Sequence, residues 1–157
     1  MEPSETDSVV LHASGRWFNK VDLRRGEAPW ITIPHRGKGF SLNGKDYTVT
    51  RRGIVATFEL SHAGESILVA KGRAGLSAMS FEFDYAGKKW TMKKTGALSS
   101  GVILECAGRI VGEFKPPGGF YFGTRLDIRL PRELPDEIQV LLIWIYLNTF
   151  GGEGSSA

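Results

Sequence analysis

A chain of 157 residues, 41% hydrophobic and 24% charged, has the size and balance of one folded domain. Its net charge of +3 is too mild to mark a nucleic-acid binder. A single cysteine, Cys106, excludes an internal disulfide and fits a reducing, cytoplasmic setting.

Residues 1–7, acidic and polar, are the reverse of a secretory signal and read as a disordered lead-in. From residue 8 the chain alternates apolar and polar residues between glycine-rich breaks, the pattern of strands and tight turns. Strands are predicted over 8–13, 15–20, 29–33, 45–51, 54–60, 65–71, 78–84, 88–94, 101–106, 109–115, 119–123 and 125–130. The alternation is cleanest in two of them. Met79, Phe81 and Phe83 share one face of 78–84, and Leu126, Ile128 and Leu130 share one face of 125–130. Arg24-Arg25-Gly26 and the loop His35-Arg36-Gly37-Lys38-Gly39 read as exposed basic turns. The latter lacks the spacing and the following helix of a phosphate-binding loop.

An internal repeat runs through this region. Phe40, Gly44, Lys45, Tyr47, Thr48, Val49, Arg51 and Gly53 recur as Phe83, Gly87, Lys88, Trp90, Thr91, Met92, Lys94 and Gly96, at a constant offset of 43. Ala63-Gly64 and Ala107-Gly108 follow as matching turns. Two copies are too few for a solenoid but suit two halves of one closed sheet.

The last element differs from all the others. Residues 135–150 run Pro-Asp-Glu and then Ile-Gln-Val-Leu-Leu-Ile-Trp-Ile-Tyr-Leu-Asn-Thr-Phe. The pattern predicts a helix with Pro135 at its first position, Asp136 and Glu137 at its positive end, and Gly151 as its C-terminal cap. Its 13-residue apolar run is short of the ~20 residues a bilayer span needs. A helix apolar on every side must then be buried in a core. A barrel of about twelve strands has an interior wider than its own side chains fill, and this helix would fill it. The predicted fold is a mainly β, closed antiparallel barrel enclosing helix 135–150. It forms one domain over 8–150, with a disordered tail at 151–157.

The closing helix, the strand run before it and the hairpins at 40–53 and 83–96 resemble the tubby C-terminal-like superfamily. That group includes the LURP-one-related proteins and the phospholipid scramblases, and the likeness suits a small bacterial-type member. It covers about residues 8–150 and is one of architecture. It implies a twelve-stranded barrel around a hydrophobic helix and, from the tubby branch, binding of phosphoinositides by basic residues on the barrel wall. The chain has no acidic calcium loop and no cysteine cluster of the scramblase kind.

Candidate sites follow. Lys45, Arg51, Arg52, Lys88, Lys89, Lys93 and Lys94 lie on related strands of the two repeats and are candidates for binding anionic lipid headgroups. Glu59, Glu82 and Asp84 are placed to offset them. Phe120, Tyr121 and Phe122 cannot all face inward on one strand, so they are candidates for an interaction edge. His12, His35 and His62 have no metal-ligand spacing. Cys106 reads as a buried structural thiol, and Glu105 and Glu113 as rim charges rather than an acid–base pair. No catalytic motif, cofactor site or metal site is expected. The sequence therefore predicts a non-enzymatic barrel in contact with anionic membrane lipid, cytoplasmic or peripheral at the membrane. The alternative is a soluble interaction or scaffold domain, dimeric through 120–122. A small-ligand barrel is disfavoured because the helix fills the interior. The helix also sets a test: fragment 1–130 should lack a cooperative thermal transition by circular dichroism, and a cooperatively folded fragment would remove the helix from the core.

Overall fold

The computed structural model describes residues 8–15, 20–26, 28–34, 38–74, 79–94, 101–115 and 125–150. Twelve strands precede one helix. They are β1 (Ser8–Gly15), β2 (Lys20–Arg25), β3 (Ala28–Pro34), β4 (Gly39–Leu42), β5 (Lys45–Arg52) and β6 (Thr57–His62), followed by β7 (Glu65–Ala74), β8 (Met79–Tyr85), β9 (Lys88–Lys94), β10 (Val102–Cys106), β11 (Arg109–Lys115) and β12 (Arg125–Pro131). The helix α1 (Asp136–Ile145) continues as a π-helical turn, Tyr146–Phe150. Every ladder is antiparallel, in the order β3-β2-β1-β12-β11-β10-β9-β8-β7-β6-β5-β4.

The sheet wraps the helix. Eight consecutive residues of α1, Ile138 to Ile145, are buried, which covers every side of the helix cylinder. The inward positions of the strands meet it: Phe58 packs edge-on against Trp144, Phe81 against Phe150, and Phe114 stacks on Tyr146. Among the described residues no helix is long and apolar enough to cross a membrane.

Several expectations need correction. No hydrogen-bonded ladder joins β3 to β4, so the expected closure is absent and both are edges. The cause is local: β3 carries Pro29 and Pro34, which have no N–H to donate, and β4 is only four residues long. An open cleft of about 480 Å³ lies along this seam, lined by Thr32 and Pro34 on one side and by Phe40, Ser41 and Tyr47 on the other. Of the strand expected over 15–20, Gly15 ends β1, Lys20 opens β2 and 16–19 lie outside the described residues, while the strand expected over 54–60 begins only at Thr57, with a turn at 53–56. Arg24 and Arg25, expected in a turn, end β2. Strand β4 had not been expected as a separate element, and the strand expected over 119–123 lies outside the described residues. Pro135 is the cap rather than the first helical residue: its carbonyl accepts the N–H groups of Ile138 and Gln139, both at 3.0 Å. Gly151 and the terminal segments 1–7 and 151–157 also lie outside the described residues.

The repeat has a structural counterpart. Phe40 pairs with Tyr47 across β4–β5, and Phe83 with Trp90 across β8–β9, with ring centroids 5.3 and 6.0 Å apart. Four two-residue turns, Asn43-Gly44, Ala63-Gly64, Ala86-Gly87 and Ala107-Gly108, have positive φ at both positions. This is the hairpin geometry that matches strand twist, and asparagine suits its first position far better than alanine. Three alanines here sit at φ of 51–53°. Each of Ala63→Asn, Ala86→Asn and Ala107→Asn should therefore raise stability by about 0.5–1 kcal/mol. A shift of the denaturant midpoint to higher concentration at constant slope is the expected result.

Candidate functional site

Strict antiparallel order sorts the connections into two ends. At one end lie the short hairpins 43–44, 63–64, 86–87 and 107–108, and the entry to α1. At the other lie the longer connections and the π-helical end of the helix. The candidate cations divide accordingly. Lys45, Lys88 and Lys89 begin their strands at the hairpin end, whereas Arg51, Arg52, Lys93 and Lys94 finish theirs at the other. Strands of this length hold the two groups about 20 Å apart, so the seven do not form one patch. Three strands, β6 to β8, also separate β5 from β9.

At the hairpin end the charges are mixed and serve the helix. Arg25 bonds Asp136 at 2.9 Å while lying 4.1 Å over the Trp30 ring. Lys88 approaches Glu133 at 3.4 Å. Both pairs link the sheet to the chain leading into α1. Lys89 stands opposite Asp84 in the ladder.

The outer wall is a series of opposite-charge pairs between strands. Arg52 bonds Glu59, Arg73 meets Glu82 at 2.9 Å, Lys93 meets Glu105 at 2.8 Å, and Arg129 meets Glu113 at 3.0 Å. Glu105 and Glu113 are thus each held by a cation. Such exposed pairs contribute little stability, about 0–1 kcal/mol each, and leave the wall close to neutral.

The end opposite the hairpins is different. Over all twelve strands, the two residues nearest that end include Lys20, Arg51, Arg52, Arg73, Lys93, Lys94, Lys115 and Arg125, and no Asp or Glu. Lys38, just before β4, lies at this end too. Among the described residues, nine Lys and Arg therefore lie at this end, these eight and Lys38, and the carboxylates that Arg52, Arg73 and Lys93 meet stand further along the neighbouring strands. Arg51 and Lys94 have no carboxylate partner among the described residues.

Within this end, the turn 53–56 between β5 and β6 is the best-defined feature. Gly53 has φ of 82°, which opens the turn. Ala56 is buried, and its carbonyl accepts the Gly72 N–H at 3.0 Å. A Cβ on Gly72 would lie 2.3 Å from that oxygen, so only glycine lets the turn seat on β7. The anchored turn holds Ile54 wholly in solvent, at 103% relative exposure, with Val55 at 39%.

Sequence reasoning found the cations but not their sorting. The signal was present: acidic residues are missing from the longer connections throughout. Phe120, Tyr121 and Phe122 lie outside the described residues, as do His35 and Arg36. Lys38 is exposed, and its carbonyl accepts the Val49 N–H at 2.6 Å. Compared with known proteins, the chain matches no family model, no curated protein and no solved structure.

Cys106 is buried, and desolvation raises its thiol above the ordinary range. Lys88 opposes that shift and Glu133 adds to it. The phenols of Tyr47 and Tyr146 are also raised by burial, Tyr47 with a smaller contribution from Glu137. All three groups hold their protons more tightly folded than unfolded. The unfolded chain then loses protons first, so stability is full below the usual thiol range and falls as pH rises through it and on into the phenol range. Denaturant midpoints measured across alkaline pH should decline in that order, and Cys106→Ala should remove the earlier part of the decline. Modification of Cys106 by a thiol reagent should proceed only at the rate of unfolding.

Proposed function

We propose that this protein is a non-enzymatic β domain that docks on anionic lipid surfaces through the end opposite its hairpins. The observation that carries this reading is the sorting of charge: among the described residues, the two strand positions nearest that end hold eight Lys or Arg and no Asp or Glu, and Arg51 and Lys94 have no carboxylate partner. A flat surface of negative charge can meet a whole end of the molecule at once. Each cation brought to such a surface contributes about 1 kcal/mol. The residues assigned to contact are Arg51, Arg52, Lys93 and Lys94 of the sequence candidates. Lys45, Lys88 and Lys89 belong to the other end and are left out of the contact.

The helix, buried over Ile138–Ile145, occupies the interior, which supports a binding role on the exterior. We read the twelve strands around α1 as a barrel whose seam lies between β3 and β4, and propose membership of the tubby C-terminal-like superfamily on that architecture. A peripheral position at a cytoplasmic membrane face goes with this reading.

Co-sedimentation with vesicles containing 30% phosphatidylserine should be strong at low salt and weaken as salt rises. Arg51→Glu combined with Lys94→Glu should weaken it about tenfold or more, while Lys45→Glu with Lys89→Glu should leave it nearly unchanged. Equal loss from both pairs would favour unlocalised attraction, and no binding at low salt would dismiss the reading.

A further inference from the structure

We infer that the 53–56 turn is a membrane wedge: Ile54 enters the apolar layer of the bilayer while the cations beside it stay at the headgroups. This rests on the lipid-facing reading of the basic end and adds to it a depth and a contact residue. Outside this turn, the other exposed large aliphatic residues among those described lie within strands, Ile67 and Val69 side by side on the outer face of β7 and Ile110 on β11, and Ile67 and Val69 are only partly uncovered. Ile54 differs in three respects. It projects completely, with no protein atom shielding it. Its turn is fixed by the Gly72–Ala56 hydrogen bond and the close seating at Gly72, so little further ordering is needed on insertion. And it lies three residues after Arg51, which has no carboxylate partner among the described residues, with exposed Lys71 on the strand to which the turn is anchored, while Arg52 and Arg73 are shared with Glu59 and Glu82.

This combination selects lipid over other acidic partners. Nucleic acid would neutralise the arginines but leave the isoleucine in water. A protein partner would need a broad apolar patch, and here a single aliphatic side chain stands on a convex turn. A bilayer offers negative charge at its surface and hydrocarbon just beneath, the order in which Arg52 and Ile54 present themselves.

The full chain with Ile54→Cys, in a Cys106→Ala background, can carry an environment-sensitive fluorophore. A second label at Glu65→Cys marks the hairpin end. Vesicles of 70% phosphatidylcholine and 30% phosphatidylserine serve as the probe, with binding measured by sedimentation in the same samples. The label at 54 should shift to the blue and be quenched by spin-labelled acyl chains, while the label at 65 stays in water. Unlabelled Ile54→Ser should lose about tenfold in vesicle affinity with its salt dependence unchanged, whereas Arg51→Glu should flatten that dependence. Vesicle binding with the label at 54 still in water would overturn the wedge and leave the basic end intact. Absence of vesicle binding would overturn both. A blue shift without vesicles would assign the turn to self-association, and binding to single-stranded DNA but not to vesicles would assign the basic end to nucleic acid. Either result defeats the wedge.

Discussion

Everything in this fold depends on hiding a helix with no polar side. Eight consecutive buried residues leave α1 no face to show water, so the protein must surround it. A flat sheet can cover only one side of a helix. The twelve-strand sheet therefore curls, and its inward positions are filled with large side chains such as Phe58, Phe81, Trp90 and Phe114 that reach the helix or one another. Among the described residues the buried polar side chain is Gln139, whose amide donates to the Leu134 carbonyl at 2.8 Å, near the point where the chain turns inward, while its Oε1 has no partner. The ion pairs Arg25–Asp136 and Lys88–Glu133 sit where the helix enters the sheet. The core is apolar, and charge is kept to its mouth.

With the helix filling the interior, what the molecule presents to others is its exterior, and the exterior is not uniform. Along the wall, cations and carboxylates alternate between strands and cancel. At the hairpin end they mix. At the opposite end, among the described residues, cations predominate and Arg51 and Lys94 stand without a carboxylate partner. Because β-hairpins reverse direction at every turn, any residue that ends an upward strand is brought beside one that begins a downward strand. A bias in the residues next to the longer connections thus gathers at one end cations that are far apart in sequence, from β2, β5, β7, β9, β11 and β12.

That mechanism also explains what could be read from the sequence and what could not. Strands β5 to β12 were legible because alternation is strong and their paired turns carry glycine at fixed spacing. The helix was legible from its composition, although the change to π spacing at Tyr146 was not. There Asn148 donates to the Trp144 carbonyl at 2.8 Å, a local contact that composition does not reveal. Strand β4 is short and opens on Gly39, where a Cβ would lie 1.9 Å from the Tyr47 carbonyl oxygen, so its propensity was weak although its position is sterically demanding. Strand β2 was misplaced because Arg24 and Arg25 look like turn residues, yet Val21 and Leu23 alternate with Asp22 as a strand should. The candidate cations were chosen by strand, whereas the fold groups them by end. Similarity along one strand says nothing about which end of it a residue occupies.

The separation of charge has a consequence for kinetics. A molecule with one predominantly cationic end and a mixed one behaves as an electric dipole along the axis of its helix. In the field of a negatively charged surface it experiences a torque before contact, over distances of about a Debye length, ~8 Å at physiological salt. It therefore arrives already turned. Orientation, usually the step that slows docking far below the diffusion limit, is settled during approach. The encounter rate is then governed by ions in solution, and the time spent bound by whatever the leading end touches.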